Sequence, residues 1–176
     1  MKSGWTAMAV LGVLVVAGAA AVFATSRPPP GAPADFRLRL ATWKLLHPGH
    51  GWAREADCGC DEDLLRQRTV SEGVWKAQPD YRPYLAQGDF NGDGRADLAV
   101  GVRPSGETGT YRVLILDGGR RTPAFLSEPL PLSQVLFFGP SRPAPYRLLV
   151  GAFGSEAAGF EPAVSSGYRL EQADCC

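Results

Sequence analysis

The feature that most constrains the fold is a nine-residue acidic segment at positions 89–97, with the sequence DFNGDGRAD, which we call the acidic loop. Oxygen-bearing side chains recur in it at alternating positions, and glycines interrupt them. These side chains belong to Asp89, Asn91, Asp93 and Asp97. Gly94 permits a tight curl, because a residue without Cβ adopts positive φ at low cost. The apolar run at 98–102 follows at once, so we expect the loop to join two strands.

Oxygen donors at this spacing suit a hard divalent cation. Ca²⁺ takes six to eight oxygen ligands at about 2.3–2.6 Å, and Arg95 would add its backbone carbonyl while its charged side chain points to solvent. An acidic turn without metal is the alternative, because Asn-Gly and Asp-Gly are also strong turn signals. We predict the metal-binding turn, because a plain turn does not need four oxygen donors in phase.

A helix–loop–helix calcium site is a rival interpretation of the same residues. That site requires a bidentate Glu at the twelfth loop position, and the twelfth residue counted from Asp89 is Val100. The segment after Asp97 is also a strand-like apolar run. The sequence therefore predicts a calcium-binding loop between adjacent strands, with Asp97 as its closing carboxylate.

The segment at 88–100, GDFNGDGRADLAV, resembles the calcium-binding motif of FG-GAP repeats, also called VCBS-type repeats. This family is known from integrin α-subunit β-propellers and from secreted bacterial proteins. The resemblance implies one Ca²⁺, held by the side chains of Asp89, Asn91, Asp93 and Asp97 and by the carbonyl of Arg95. One clear copy is present, whereas a propeller needs several blades of about 40–60 residues. We therefore expect an FG-GAP-like domain that is not a complete β-propeller.

The composition is typical of one small domain rich in strands. A length of 176 residues with 45% hydrophobic residues supports one real core. The 21 glycines and 15 prolines favour short strands joined by turns. Lys plus Arg and Asp plus Glu are balanced at 18 each, which argues against a nucleic-acid partner.

The amino-terminal residues predict export. Lys2 precedes an apolar run at 5–24, and the small residues around Ala24 fit cleavage of a signal peptide spanning residues 1–24. An uncleaved membrane anchor is the alternative, since about 20 apolar residues can span a bilayer. Both outcomes place the domain outside the cytoplasm, secreted or periplasmic, with membrane contact only if the segment is retained. A Pro-rich linker at 25–34 then precedes a single domain at 35–176.

Two stretches before the acidic loop bear on helix content. Phe36, Leu38 and Leu40 alternate with arginines, which predicts a strand, although the later apolar residues up to Leu46 have helical spacing. We interpret the first half as a strand. Residues 61–68, DEDLLRQR, predict a short helix, because acids at its start and arginines at its end complement the helix dipole.

Strand patterns dominate the rest of the chain. They predict strands at 84–88, 97–103, 110–116, 135–138, 146–153 and 167–170. Adjacent strands joined by short turns imply an antiparallel sheet. With one or two short helices, the predicted fold class is α+β.

Four cysteines in an exported chain predict disulfides. The simplest scheme ties Cys58 and Cys60 to Cys175 and Cys176, with the connectivity left open. Each such bridge would close a loop of over 100 residues. The chain-entropy model gives about 4–5 kcal/mol of stabilisation for the first of them. A four-thiolate zinc site is the alternative, but C-x-C and C-C lack the usual C-x-x-C spacing.

The sequence offers no catalytic pattern, with neither a nucleophile elbow nor an H-E-x-x-H segment. Acids in phase around one tight loop are placed for an ion, whereas glycoside cleavage needs two carboxylates held apart across a cleft. We predict a non-enzymatic interaction or structural module of the bacterial envelope, with a protein or glycan partner. The bacterial assignment rests on the resemblance alone. The alternatives are a periplasmic inhibitor that presents loop 104–109 or 140–145, and a secreted hydrolase or accessory protein with an unrecognised site.

Overall fold

A computed structural model of the chain describes residues 27–71, 77–123, 125–138, 148–153, 158–162 and 168–170. The predicted signal peptide, Cys175 and Cys176 lie outside these residues. The chain divides into two compact units, Met1–Pro48 and Gly49–Cys176. Within the described ranges, no helix has the length and apolar character of a membrane span.

Helix α1 of the first unit spans Ala34–Leu46, so the strand predicted for its first half is wrong. Phe36, Leu40 and Trp43 are buried, and they recur at the spacing of one helical face. Leu38, which the alternating pattern would have placed on the same buried face, is 78% exposed. The helical spacing of the later residues therefore extends back through the whole segment.

The second unit contains the predicted short helix, which is helix α2 at Asp61–Thr69. Three acids occupy its first turn, and Arg66 and Arg68 lie in its last turn, where each charge complements the helix dipole. Leu64 is its buried residue. Because so little of α2 is apolar, we attribute much of its position to the polar contacts of Arg68 described below.

The strands of the described residues form two antiparallel sheets. In the larger, β1, β3, β4 and β5 lie in that order, with β2 also paired to β3 and β6 to β4. These strands are β1 His50–Trp52, β2 Leu85–Gly88, β3 Asp97–Pro104, β4 Thr110–Leu116, β5 Phe125–Leu126 and β6 Leu130–Pro131. The smaller sheet has the order β10, β9, β8, β7. Its strands are β7 Val135–Phe138, β8 Leu148–Gly151, β9 Ala158–Pro162 and β10 Tyr168–Leu170.

The α+β class, with mainly antiparallel strands, is therefore confirmed. Strands β4 and β7 have the predicted bounds, and β2 and β3 differ from them by one residue. Strands β8 and β10 lie inside the stretches predicted at 146–153 and 167–170. The strands of the described ranges form neither a closed barrel nor a propeller.

The core lies around β3 and β4. Six consecutive residues from Asp97 to Val102 are buried, so β3 is covered on both faces, and the five after Asp97 form the apolar run at 98–102. Tyr111, Val113 and Ile115 of β4 belong to one buried cluster with Ala99 of β3. Strand β3 of this core also positions the acidic loop, because it begins at the last residue of the loop.

Gly101, in the middle of β3, generates a stability prediction. A Cβ at this position would lie 2.9 Å from the Cβ atoms of both Ala53 and Tyr84, and 3.1 Å from Cδ2 of Tyr111. The first two are stem atoms that cannot rotate away, so the backbones must separate. We expect Gly101→Ala to lower the free energy of unfolding by about 1–3 kcal/mol in urea titrations.

The matched control is Gly51→Ala on the neighbouring strand β1, where nothing lies within 4 Å of an added Cβ. We expect this variant to unfold within about 1 kcal/mol of the parent. Equal unfolding midpoints for the two variants would contradict the close packing at Gly101.

Candidate functional site

The acidic loop joins two adjacent antiparallel strands, as predicted. Gly88 of β2 pairs with Asp97 of β3, which are the residues that flank and close the loop. Gly92 and Gly94 have φ angles of 79° and 82°. Nothing lies within 4 Å of an added Cβ at either residue, so the left-handed backbone, rather than lack of space, requires glycine there.

Asp89 organises the first half of the loop through its carboxylate. Its Oδ1 accepts hydrogen bonds from the backbone N–H groups of Gly92 (2.6 Å) and Asp93 (3.1 Å). Its Oδ2 accepts one from the N–H of Gly94 (2.9 Å). The loop therefore curls around a carboxylate, with successive N–H groups turned inward as in an anion-binding nest.

Asn91 and Asp93 continue this arrangement. The Asn91 Oδ1 accepts a hydrogen bond from the N–H of Asp93 at 3.0 Å, and the Asp93 Oδ1 accepts one from the N–H of Arg95 at 2.8 Å. Each side chain thus caps the amide two residues further on, as Asx turns do. The acidic loop consequently has a defined shape that its own side chains maintain.

Asp97 is fully buried and links the loop to the rest of the sheet. Its Oδ2 accepts a hydrogen bond from the backbone N–H of Phe90 at 3.0 Å, and its Oδ1 accepts one from the N–H of Gly118 at 2.8 Å. A buried carboxylate needs such donors to offset its loss of water. Asp97 thereby joins the start of the acidic loop, the start of β3 and the turn after β4.

Asp117 is a site residue that the sequence interpretation missed. It is 5% exposed, its Oδ1 accepts the N–H of Gly119 at 2.6 Å, and its Oδ2 lies 3.4 Å from both the Nδ2 of Asn91 and the Nε of Arg120. The sequence feature that could have indicated it is an acidic residue directly after the strand predicted at 110–116. Because Leu116 pairs with Leu98, position 117 lies beside Asp97 across the sheet.

The turn at 117–119 packs closely against the acidic loop. A Cβ at Gly118 would overlap the carbonyl oxygen of Ala96. A Cβ at Gly119 would meet the Oδ2 of Asp93, the Nη1 of Arg95 and an oxygen of Asp117 at 3.1–3.2 Å. The charged ends of three side chains therefore surround Gly119. Arg95 is exposed as predicted, but its side chain lies along this turn.

The donor chemistry of the acidic loop fits a hard cation, because its polar side chains offer carboxylate and amide oxygens and neither thiolate nor imidazole. The carboxylates do not converge on one point, however. Among the described residues, no group of three or more His, Cys, Asp or Glu side chains is placed to hold a metal ion. The carboxylate oxygens of Asp89, Asp93 and Asp97 accept hydrogen bonds from backbone amides instead. The ligand roles of Asp89, Asn91, Asp93, Arg95 and Asp97 remain predictions.

The cysteine scheme needs correction. Cys58 forms a disulfide with Cys60, with Cα atoms 5.3 Å apart, so neither residue is tied to Cys175 or Cys176 as predicted. The bond closes across a single residue, Gly59, whose φ is 62°. Sequence reasoning missed this pairing because it considered the C-x-C pair as one end of a long-range tie, or as half of a zinc site, and not as a bond within the pair.

Comparison with known proteins supports the resemblance. The family model described as FG-GAP repeat matches residues 85–116, which comprise β2, the acidic loop, β3 and β4. No curated protein and no solved structure matches the chain. FG-GAP repeats in general carry calcium-binding motifs and are typically non-enzymatic modules. The hairpin and the strand after it thus match an FG-GAP repeat, and the match suggests an interaction or structural module.

The hydrogen bonds of Asp97 generate a prediction that does not depend on metal. In Asp97→Asn one carboxylate oxygen becomes an NH₂ group, which faces a buried N–H donor and leaves it unpaired. We expect this variant to lose about 1–3 kcal/mol of unfolding free energy in chelator, measured by urea titration.

Asp93→Asn is the matched control, because Asp93 is exposed and the amide oxygen of Asn can still accept the N–H of Arg95. We expect a change within about 0.5 kcal/mol in chelator. If both variants unfold at the parent's midpoint, Asp97 does not have the structural role described.

Proposed function

We propose that the acidic loop binds one Ca²⁺ and that the domain is a non-enzymatic interaction or structural module exported to the bacterial envelope. The observation that carries the proposal is the FG-GAP match on a hairpin whose loop has oxygen donors at alternating positions. The glycines with positive φ support it, because they allow such donors to lie inside one tight turn.

The residues that would hold the ion are Asp89, Asn91, Asp93 and Asp97 through their side chains and Arg95 through its carbonyl. Bound calcium supplies positive charge among three carboxylates. The chain itself supplies the shape of the loop, since the side chains of Asp89, Asn91 and Asp93 hold the backbone amides in position. A carboxylate offers about four lone-pair sites, so one accepted N–H does not exhaust Asp93.

This site would be weak and structural. Extracellular calcium modules bind at about 10⁻⁴–10⁻³ M, and the acidic loop lacks a bidentate Glu at its closing position. At calcium ten times above the dissociation constant, binding stabilises the fold by about 1.4 kcal/mol. We therefore infer that calcium stiffens the β2–β3 hairpin rather than enabling it to fold.

Export and partner choice rest on sequence arguments. The apolar segment at 5–24 supports passage across a membrane, and the four cysteines suit an oxidising compartment. The absence of a recognised catalytic pattern in the sequence favours a binding role, with a protein or glycan as the partner. Stoichiometric capture of such a partner from envelope extract in calcium, lost in chelator, would support this role. Turnover of an esterase, glycoside or peptide substrate by the pure protein would overturn the non-enzymatic assignment.

The calcium proposal makes a thermal prediction. We expect the parent protein to melt about 3–6 °C higher in calcium at ten times the dissociation constant than in EDTA, by differential scanning calorimetry. Asp93→Ala should lose this difference, because it removes one carboxylate of the loop. Asp80→Ala, which removes an exposed carboxylate outside the loop, should keep it.

Isothermal titration provides the decisive readout for the same variants. If the parent gives no heat with calcium up to several millimolar, and its melting temperature is the same in EDTA, the acidic loop is a metal-free turn. Calcium responses that are equal in Asp93→Ala and the parent would instead place the ion elsewhere.

A further inference from the structure

We propose that the Cys58–Cys60 disulfide is a thiol–disulfide exchange site for the dithiol of a partner molecule. The bond joins two residues with one residue between them, so it cross-links no distant parts of the fold. In the chain-entropy model such a short loop contributes far less stability than a long one. The bond is therefore poorly suited to a structural role and can open without releasing any element.

Other contacts hold the surrounding segment in place. Arg68 of α2 binds the carboxylate of Glu55 through Nη1 (2.9 Å) and Nη2 (2.6 Å), and it donates to the carbonyl oxygen of Tyr81 through Nε (3.0 Å) and Nη2 (2.7 Å). The Nη1 of Arg103 on β3 lies 2.9 Å from Asp57. These contacts fix both sides of the cysteine turn, so its position does not depend on the disulfide.

An incoming thiol can reach the bond. Gly59 is exposed, and Cys58 and Cys60 are partly exposed at the edge of the core cluster. Disulfides inside a core lack such access. The backbone N–H of Cys60 also donates to the Sγ of Cys58 at 3.2 Å. A donor at this sulfur stabilises negative charge there and makes Cys58 the better leaving group.

The exchange reaction needs no added oxidant, because the disulfide itself accepts the two electrons. A thiolate of the partner attacks the Sγ of Cys60, the S–S bond breaks, and Cys58 leaves with the electron pair as a thiolate. The second thiol of the partner, once deprotonated, attacks the partner's sulfur in the mixed disulfide and releases Cys60. The partner is oxidised to a disulfide by two electrons, and the two cysteines take up the two protons that the partner released.

The charges beside the site restrict the partner. Asp61, Glu62 and Asp63 occupy the first turn of α2, directly after Cys60, and all three are exposed. Their charge repels an anionic thiolate carrier and attracts a cationic one. The site therefore favours thiols in neutral or basic surroundings.

The first experiment uses the full chain with Cys175→Ser and Cys176→Ser, which leaves the Cys58–Cys60 pair alone. The protein is equilibrated in glutathione redox buffers, quenched in acid, alkylated and mapped by mass spectrometry. We expect half-reduction at a ratio of [GSH]² to [GSSG] about 100-fold lower than a structural disulfide requires. The circular dichroism spectrum should not change. A pair that stays oxidised throughout, or a domain that unfolds on reduction, would overturn the proposal.

Gly59→Ala tests the local geometry. The oxidised turn holds residue 59 at a φ of 62°, which an alanine adopts with difficulty. We expect this variant to be half-reduced at a ratio about tenfold lower than the parent. Gly49→Ala, at a residue without positive φ and with open space around it, should match the parent. Equal behaviour of the two variants would contradict the dependence on Gly59.

The kinetic experiment tests partner charge and the direction of attack. Cysteamine, a cationic thiol, should reduce the pair several-fold faster than glutathione at equal thiolate concentration. The double variant Glu62→Gln and Asp63→Asn should shrink that difference. Rapid alkylation should trap the mixed disulfide on Cys60 and a free thiol on Cys58. Equal rates for the two thiols would overturn the charge selectivity, and a mixed disulfide on Cys58 would overturn the assigned leaving group.

Discussion

The buried carboxylate of Asp97 is the interaction on which the rest of the site depends. It receives N–H groups from Phe90, at the start of the acidic loop, and from Gly118, after β4. Because Asp97 is also the first residue of β3, these two hydrogen bonds fix the start of β3 relative to the acidic loop and to the turn at 117–119. The acidic loop, the start of β3 and the turn at 117–119 thus meet at one buried polar side chain, next to a largely apolar core.

This arrangement separates the shape of the acidic loop from its charge. Asp89, Asn91 and Asp93 each accept hydrogen bonds from backbone amides within the loop, so local hydrogen bonds maintain the curl. Several like charges nevertheless remain close together, and Asp117 adds another beside them. A divalent cation would act on that repulsion rather than on the backbone. This is why we assign calcium a modest stabilising effect and not a role in folding.

Local patterns in the sequence predicted the elements that local chemistry determines. The apolar runs of β3 and β4, the position of the acidic loop between two adjacent strands and the charge order of α2 were all correctly interpreted. Helix α1 was not, because Phe36 and Leu40 fit both an alternating and a helical period, and the exposure of Leu38 is what distinguishes the two. Asp117 and the Cys58–Cys60 bond were missed for a different reason. The position of Asp117 beside Asp97 depends on the register of β3 and β4, whereas the disulfide depends on a local bend at Gly59.

The lack of a side chain at Gly118 has a consequence for transferring this loop to another protein. The carbonyl of Ala96 occupies the volume that any Cβ would need, and the amide of Gly118 is simultaneously a donor to Asp97. A graft of the nine loop residues alone would lack the N–H of Gly118, so the carboxylate of Asp97 would lose one of its backbone donors. The smallest transferable unit is therefore the three-stranded segment from β2 through the glycine pair after β4.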